Sequence, residues 1–240
     1  MINIYEEYEE KIKQFKDIHK GKRCFIMGTG PSLNRINEKC LKALENEIVI
    51  GVTDAYYIQK KANIKFEFFA TSNGPIWESR HNDMLNLETN LFLEGNPAQS
   101  YLSNKAEFDK IKKCEVFLLN SCGRLRDDFI WKGQDLSKGC YSGIQVVSQM
   151  AVPIAYYIGC EKTYLIGVDF DRDTTGYHFF IENGKAEPNA PMRSLTYWAC
   201  MAKEYDTFRV AFEKDGRKIY NATNGGKLEA FERVNLEDLF

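Results

Sequence analysis

The chain has 240 residues and a formal net charge of −2, with 44% hydrophobic and 28% charged residues. These values match ordinary soluble domains, so they disfavour disorder, collagen-like repeats and a coiled coil. Lys and Arg total 32 against 34 Asp and Glu, without a long basic run, which argues against nucleic acid or an anionic lipid surface as a partner. Any anionic ligand must therefore be held by local contacts.

Seven cysteines are spread along the chain, and no two form a Cys-x-x-Cys pair. With only three histidines, this pattern argues against a zinc site and a disulfide scaffold and fits a reducing cytosol. The charged N-terminus lacks the apolar stretch of a signal peptide, and no run reaches the ~18 apolar residues that a spanning helix needs. We predict a cytoplasmic protein without a transmembrane segment, and leave open a peripheral location at the inner membrane and homo-oligomerisation.

The first half of the chain predicts a helix followed by a series of strands. Apolar residues recur every three or four positions over residues 2–20, which predicts an amphipathic helix that Gly21 ends. Residues 23–27 then predict a strand, residues 28–32 a Gly-rich turn, and residues 33–44 a helix. Continuous apolar runs, typical of strands covered on both faces, predict further strands at 48–53, 66–71, 91–93 and 116–119.

The second half of the chain predicts further helices and strands in alternation. Ser142 and Gln145 predict a capping box that opens a helix reaching Ile158, with Pro153 as a candidate kink. Further along, the sequence predicts a strand at 163–170, a loop or lid at 173–192, a helix at 193–214, a strand at 218–222 and a turn at 224–226. Together these elements predict an α/β, Rossmann-like fold with a mostly parallel sheet and helices on both faces. We expect an N-terminal helix over 1–20 and a single domain over 21–240.

The Gly-rich turn is the first candidate site. Gly28 and Gly30 permit a tight turn, and Pro31 suits the first position of a helix, so free amides and the helix dipole there would attract a phosphate. The turn lacks the third Gly of a dinucleotide fingerprint and the Gly-Lys-Ser/Thr of a Walker loop. The alternative is a strand-to-helix turn without a ligand.

Ser142 and Gly143, at the predicted start of a helix, are a second candidate site. They could bind a ribose, a carboxylate or a phosphate, and the alternative is that Ser142 is only the N-cap of that helix.

Acidic residues follow the predicted strand at 163–170. Asp169, Asp171 and Asp173 stand at two-residue intervals, and carboxylates so spaced can coordinate Mg²⁺. Asp169 stands directly at the strand end, where open parallel sheets bind ligands, whereas the other two also suit a solvated loop. His178 is a candidate general base and Tyr177 a candidate donor to a departing phosphate, with a surface-loop histidine as the alternative.

Three stretches of the chain carry a family resemblance: residues 28–33, residues 141–169 and residues 219–234. Together they resemble the MptE-like family (domain of unknown function 115), which includes the central domain of the Maf flagellin glycosyltransferases. The first two also resemble the bacterial sialyltransferases of glycosyltransferase family 42. The resemblance implies a Rossmann-like nucleotide-sugar fold that binds a CMP-activated nine-carbon acid sugar.

The sialyltransferase resemblance also implies roles for single residues. It implies nucleotide binding by residues that match or replace those of the family: Gly28, Thr29, Gly30, Ser32, Thr53, Ser142 and Gly143. Tyr177 falls where a Tyr holds the donor phosphate. The chain departs from the family where Asp171 replaces a second phosphate-binding Tyr and Gly139 replaces an Arg, and the family's catalytic His lies further along than His178.

The sequence thus favours an inverting glycosyltransferase that moves a sialic-acid-like (nonulosonic acid) sugar from a CMP donor to a glycan or protein hydroxyl. Its predicted catalytic residues are His178, Tyr177 and Asp169. We predict no required cofactor, and any Mg²⁺ would lie on Asp169 and Asp171. The first alternative is a Mg²⁺-dependent 6-hydroxymethylpterin diphosphokinase that transfers pyrophosphate from ATP. The second is a non-catalytic nucleotide-binding module in polysaccharide assembly.

Overall fold

The computed structural model describes residues 4–124, 131, 133–142, 145–171, 179 and 195–240. Within these residues the strands are β1 (Arg23–Met27), β2 (Val49–Val52), β3 (Phe68–Thr71), β4 (Asn90–Glu94), β5 (Glu115–Leu119), β6 (Ser121–Arg124), β7 (Cys140–Ser142), β8 (Lys162–Ile166), β9 (Lys218–Asn221) and β10 (Glu232–Arg233). The α-helices are α1 (Ile4–Lys13), α2 (Glu38–Leu44), α3 (Gly74–Leu85), α4 (Asn96–Ser103), α5 (Lys105–Ile111), α6 (Val152–Tyr157) and α7 (Leu195–Lys214).

Eight of these strands form one sheet in the order β10-β9-β8-β1-β2-β3-β4-β5, while β6 and β7 pair separately. Every pairing among the described residues of the large sheet is parallel. This confirms the predicted α/β, Rossmann-like class. The chain adds strands outward from β1 to β5 and then returns to place β8 on the other side of β1. Open α/β sheets bind ligands at the carboxyl ends of the strands beside such a reversal.

Opposite faces of β3 show how the sheet is covered. Neighbouring residues of a strand point to opposite faces, so Phe68 and Phe69 report on the two sides. The Phe68 ring meets Phe15, which follows α1, at 5.3 Å between centroids. The Phe69 ring meets Tyr56 of the 3-10 helix Ala55–Lys60 at 6.2 Å. The N-terminal segment and this 3-10 helix therefore cover different faces of one core.

The N-terminal helix is shorter than predicted. It ends at Lys13 rather than near residue 20, because Asp17 takes a left-handed φ of 59° that a helix does not tolerate. The Asp17 N–H donates to Tyr157 O at 3.0 Å, and the His19 N–H donates to Ile158 O at 2.8 Å. Residues 14–21 thus form turns that bond to the end of α6.

The strand predicted over 163–170 ends at Ile166, so this expectation is also corrected. Gly167 has a φ of 68° and Phe170 a φ of 50°, and neither value is compatible with a strand. The chain instead leaves the sheet at Gly167 and turns towards the end of β1. This change of direction places Asp169 in the candidate site.

The helix predicted to open at Ser142 begins later. Ser142 is the last residue of β7, and the next helical segment is a π-helix over Val147–Ala151 that continues as α6, so Ser142 is not its N-cap. In a regular α-helix the Pro153 ring would clash with the carbonyl four residues earlier, and the wider π turn accommodates it. The helix predicted at 193–214, the strand at 218–222 and the turn at 224–226 are confirmed as α7, β9 and a turn with two left-handed glycines.

All seven cysteines are free, and five of them are buried, as small core residues are. No helix in the described part of the chain combines the length and apolar character that crossing a bilayer requires.

Candidate functional site

The Gly-rich turn after β1 and the segment after β8 lie side by side, because β1 and β8 are neighbours in the sheet. The Gly28 N–H donates to Ile166 O at 2.9 Å, and the Gly30 N–H donates to Gly167 O at 2.8 Å. Both glycines are needed for this approach. A Cβ on Gly28 would lie 2.4 Å from Gly167 O, so no other residue fits there without a shift.

Asp169 is the centre of this site. Its Oδ2 accepts a hydrogen bond from Ser32 Oγ at 2.6 Å, and its Oδ1 accepts one from the Ser32 N–H at 3.2 Å. The Asp169 carboxylate is only 8% exposed, so burial raises its pKa. The Ser32 hydrogen bonds and the Arg35 guanidinium, 3.8 Å away, lower the pKa and partly offset burial.

The turn therefore differs from the phosphate cradle that the sequence predicts. The amides of Gly28, Gly30 and Ser32 all donate to residues 166–169, so they are not free for a ligand. The 3-10 helix Pro31–Arg35, rather than a regular α-helix, follows the turn, and α2 begins only at Glu38. The Asp169 carboxylate occupies the place at this turn that an external anion would take. Nucleotide binding by these residues stays a prediction, but it cannot use those three amides.

Asp171 and Lys227 form a second contact beside Asp169. Lys227 Nζ lies 2.9 Å from Asp171 Oδ1, and the Lys227 N–H donates to Asp169 O at 2.7 Å. A Cβ on Gly226 would lie 2.3 Å from Asp169 O, so a glycine is required where this loop crosses the site. The loop after β9 thus supplies a cation that compensates the Asp171 carboxylate.

Asp169 and Asp171, the residues on which the sequence places any Mg²⁺, are both engaged by groups of the chain itself, and a Mg²⁺ site on them stays a prediction. Both Asp169 oxygens accept hydrogen bonds from Ser32, and Asp171 is paired with Lys227. Among the residues that the structure describes, no group of three or more His, Cys, Asp or Glu side chains is arranged to hold a metal ion.

Thr53 lies at the end of β2 in an unusual conformation. Its φ is 47°, and its N–H donates to Ala70 O at 3.1 Å. The next residue, Asp54, is fully buried, and its Oδ2 lies 2.5 Å from Arg80 Nη1 on α3. This ion pair fixes the turn that presents Thr53. Sequence reasoning missed Arg80, because nothing in the spacing of α3 indicates which face of that helix meets β2.

A buried polar cluster at the ends of β3 and β4 was also missed. Gln149, in the π-helix, donates to Glu94 Oε2 at 2.8 Å and accepts from Ser72 Oγ at 2.8 Å. Burial raises the pKa of Glu94, and hydrogen bonds from Ser121 and Gln149 lower it. An acidic residue at a strand end followed by Gly95 is the sequence signal that could have found this cluster. It lies at the same edge of the sheet as Asp169.

Several predicted site residues lie outside the described residues: Gly143, Tyr177 and His178, together with the acidic Asp173 and most of the predicted lid. Ser142 is described only as the end of β7. Phe179, the residue after His178, is buried, and its N–H donates to Thr29 O at 2.9 Å. Asn34 Nδ2 in turn donates to Phe179 O at 2.8 Å. The chain next to His178 is therefore bound to the Gly-rich turn.

A parallel sheet whose strand order reverses beside β1 defines the chain as an α/β domain of the Rossmann-like class. Residues 1–175 match the family described as 6-hydroxymethylpterin diphosphokinase MptE-like, and the chain belongs to this family.

The fold is similar to that of a solved glycosyltransferase structure. That structure is titled "Structure of MAf glycosyltransferase from Magnetospirillum magneticum AMB-1" and matches with a TM-score of 0.57 and 14% sequence identity. The match covers 98% of this chain but only 39% of that one, so this chain spans well under half the length of that protein. No curated protein matches the chain. The resemblance to the family 42 sialyltransferases remains a prediction.

Proposed function

We propose that this chain is an inverting glycosyltransferase that moves a sialic-acid-like (nonulosonic acid) sugar from a CMP donor to a hydroxyl of a glycan or protein. The observation that carries the proposal is the contact of the Gly28 to Ser32 turn with Asp169 at the strand reversal, where this class of sheet binds ligands. The likeness in fold to a protein whose title names it a glycosyltransferase supports the same reaction class.

In this proposal the donor nucleotide lies along the carboxyl ends of β1 and β2. Its predicted contacts are the turn residues and the residues after β2 and β7: Gly28, Thr29, Gly30, Ser32, Thr53, Ser142 and Gly143. Since three turn amides are already used, Thr29 and Thr53 are the residues expected to contact the nucleotide most directly. Ser32 instead holds Asp169 in place and so shapes the site.

The reaction would proceed by direct displacement. The acceptor hydroxyl oxygen forms a bond to the anomeric carbon while the bond from that carbon to the CMP phosphate oxygen breaks. His178 takes the proton of the acceptor hydroxyl, and Tyr177 donates a hydrogen bond to the departing phosphate. Phe179, which follows His178 in the sequence, is bound to Thr29 and Asn34.

The charge of the site agrees with a departing phosphate. A free carboxylate beside the phosphate would repel it, but Asp171 is paired with Lys227 and Asp169 accepts two hydrogen bonds from Ser32. The chain thus compensates both carboxylates with its own groups.

The family's description favours a second candidate, a 6-hydroxymethylpterin diphosphokinase. That reaction transfers a pyrophosphoryl group from ATP and depends on metal and fixed cations around the phosphates. Because Asp169 and Asp171 are engaged with Ser32 and Lys227, we assign no metal-dependent step to them.

A thermal-shift series separates these functions, since a ligand that binds only the folded state raises the melting temperature. The ligands are CMP, CMP-sialic acid, UDP-sugars, ATP and a hydroxymethylpterin, each with and without Mg²⁺. The transferase proposal expects stabilisation by the cytidine ligands. Stabilisation by ATP with Mg²⁺ but by no cytidine ligand would contradict it and favour the diphosphokinase.

Release of CMP from CMP-sialic acid then tests the catalytic residues. His178→Ala is expected to lower the rate by about 10²–10⁴-fold, as loss of a general base does. His81→Ala is the matched control, because His81 lies on α3 and contacts Trp77 O. Full activity of His178→Ala would remove that residue from the mechanism. Binding of CMP without turnover in the unsubstituted protein would favour a non-catalytic module.

A further inference from the structure

A cavity of about 340 Å³ opens at the carboxyl ends of β8 and β9, next to the contact between Ser32 and Asp169. One wall is the 3-10 helix Pro31–Arg35 with the start of α2. The opposite wall is formed by residues 222–224 and 233–237. This volume lies within the range of small-molecule pockets. The opposite wall follows residues 1–175, which match the family, and apart from Ser32 the donor contacts proposed above do not line the cavity.

The loop that forms part of this wall is held in a fixed shape. Arg233 donates to Gly225 O and to Gly226 O, each at 2.8 Å, and so closes the loop around its guanidinium. The side chain of Asn37 donates to Glu237 Oε1 at 2.7 Å and joins the two walls across the cavity. The cavity is thus built from residues whose positions are set by hydrogen bonds.

Arg35 is the cation in this cavity that can reach a ligand. Its side chain is half exposed, it donates to Asn224 O, and its Nη2 lies 3.8 Å from Asp169 Oδ1. A guanidinium carries five N–H donors in a planar fork that matches a carboxylate or a phosphate. Arg35 and Arg233 against Glu237 give the lining itself a net charge of +1, and a bound anion would share the Arg35 guanidinium with the neighbouring Asp169 carboxylate.

Part of the buried lining of the cavity is apolar, beside the buried hydroxyl residues Ser32 and Thr223. Ile166, Ala222 and Leu236 line it and are each less than a tenth exposed. An apolar lining with a few converging polar groups is typical of pockets that bind small organic molecules. The apolar surface suits a ring or short hydrocarbon, while Arg35 suits an oxyanion.

We propose that this cavity binds a small molecule that carries a phosphate or carboxylate on an apolar body, with the oxyanion on Arg35 and the body against Ile166, Ala222 and Leu236. This site shares only Ser32 with the nucleotide contacts proposed above, and it does not depend on which reaction the chain catalyses. Its position beside Asp169 would place the bound molecule at the edge of the candidate active site.

Titration of the ¹⁵N-labelled protein tests the proposal, with phenyl phosphate, benzoate and benzyl alcohol as probes. The phosphate or the carboxylate probe should produce saturable shifts of the amides of Ala222 and Leu236, and the neutral alcohol should bind at least tenfold more weakly. Stronger binding of phenyl phosphate identifies a phosphate site, and stronger binding of benzoate a carboxylate site. Shifts that do not saturate, or that map elsewhere, would overturn the proposal.

Two substitutions sharpen the test. Arg35→Gln should weaken binding of the preferred probe at least about tenfold, as loss of a charge-assisted hydrogen bond does. Arg209→Gln is the control, because it removes the same charge at a residue that pairs with Glu213 on α7. Equal weakening by both would overturn the proposal. Arg35→Lys, which keeps the charge, should recover part of the affinity even if Arg35→Gln folds poorly. A CMP titration of the Arg35→Gln variant reports on the donor site, because that variant lacks the oxyanion contact of the cavity; loss of probe binding with unchanged CMP binding separates the two sites.

Discussion

Ser32 and Asp169 are 137 positions apart in the sequence, and the Ser32 hydroxyl donates to the Asp169 carboxylate at 2.6 Å. The carboxylate is buried and also accepts a hydrogen bond from the Ser32 amide. The hydrogen-bond donors of Ser32, in the turn after β1, are therefore satisfied by a group of the chain itself. The turn and the segment after β8 therefore hold each other in position before any ligand binds.

Ser32→Ala removes the hydroxyl that this buried carboxylate accepts from. We expect a loss of about 1–3 kcal/mol in the free energy of unfolding, the cost of leaving a buried acceptor without its partner. Urea denaturation measures the change. Ser79→Ala is the control, since the Ser79 hydroxyl bonds to carbonyls of its own exposed helix, and it should stay within about 0.5 kcal/mol. Equal losses in the two variants would show that the Asp169 contact adds no stability.

The pKa of the Asp169 carboxyl should lie above its usual range, because burial disfavours the charged form. Carboxyl ¹³C NMR titration measures it directly. Ser32→Ala should raise this pKa further, since the lost hydroxyl hydrogen bond favours the charged form, while the backbone amide at position 32 still donates. With a pKa raised by folding, the stabilising contribution of Asp169 is full below its unfolded pKa and is lost as the pH rises through the folded pKa. A pKa at or below the usual range would refute the assignment.

Gly30→Ala should destabilise the protein by about 1–3 kcal/mol, as overpacking of a filled site does. The new Cβ would lie 1.9 Å from Asp169 Oδ2 and 2.8 Å from Gly167 O. The φ of Gly30 is −68°, which any residue adopts, so the cost comes from the clash alone. Gly74→Ala is the control, because its nearest neighbours are side-chain atoms of Asn96 at 3.1 Å or more. A thermal melt in which both variants behave alike would argue against the close packing.

Arg80→Ala should lower the free energy of unfolding by about 3–5 kcal/mol, because it leaves the fully buried Asp54 charge without its partner. Chemical denaturation checks this value. Arg209→Ala, which breaks an exposed pair with Glu213, should cost less than about 1 kcal/mol. In the double variant Arg80→Ala with Asp54→Asn, part of the loss should return. A small effect of Arg80→Ala would mean that water, not Arg80, compensates Asp54.

The strands β1 to β5 and β8 could be predicted because each contains a short continuous apolar run, as in Phe66 to Thr71. Strand β10, which consists of Glu232 and Arg233, could not. The helices α3 to α5 could not. Helix α3 begins with Gly74 and Pro75, which in sequence indicate a turn, and much of its surface is polar. The position of α3 is set by the packing of the buried Trp77 and by the contact of Arg80 with Asp54, and no local sequence pattern specifies either contact.

The candidate site was predictable in part. Asp169 and the Gly28 to Ser32 turn each follow a recognisable strand, and the carboxyl ends of parallel strands share one edge. Their direct contact could not be predicted, since it depends on β8 lying next to β1 rather than at the far end of the sheet. The use of the Gly28, Gly30 and Ser32 amides within the chain follows from that strand order, and nucleotide binding by this turn stays a prediction.

The pairing of β1 with β8 also has a consequence for biosynthesis. Cys24 of β1 and Thr163 of β8 are partners in register and are 139 positions apart. At 5–20 residues per second, a ribosome takes about 7–30 s to add that many residues. During this interval β1, one of the most apolar strands, keeps one edge without a partner, and such edges promote pairing between chains. Until β8 emerges, the unpaired edge of β1 must therefore be protected from other chains, either by the collapsed N-terminal half of the growing chain or by a chaperone.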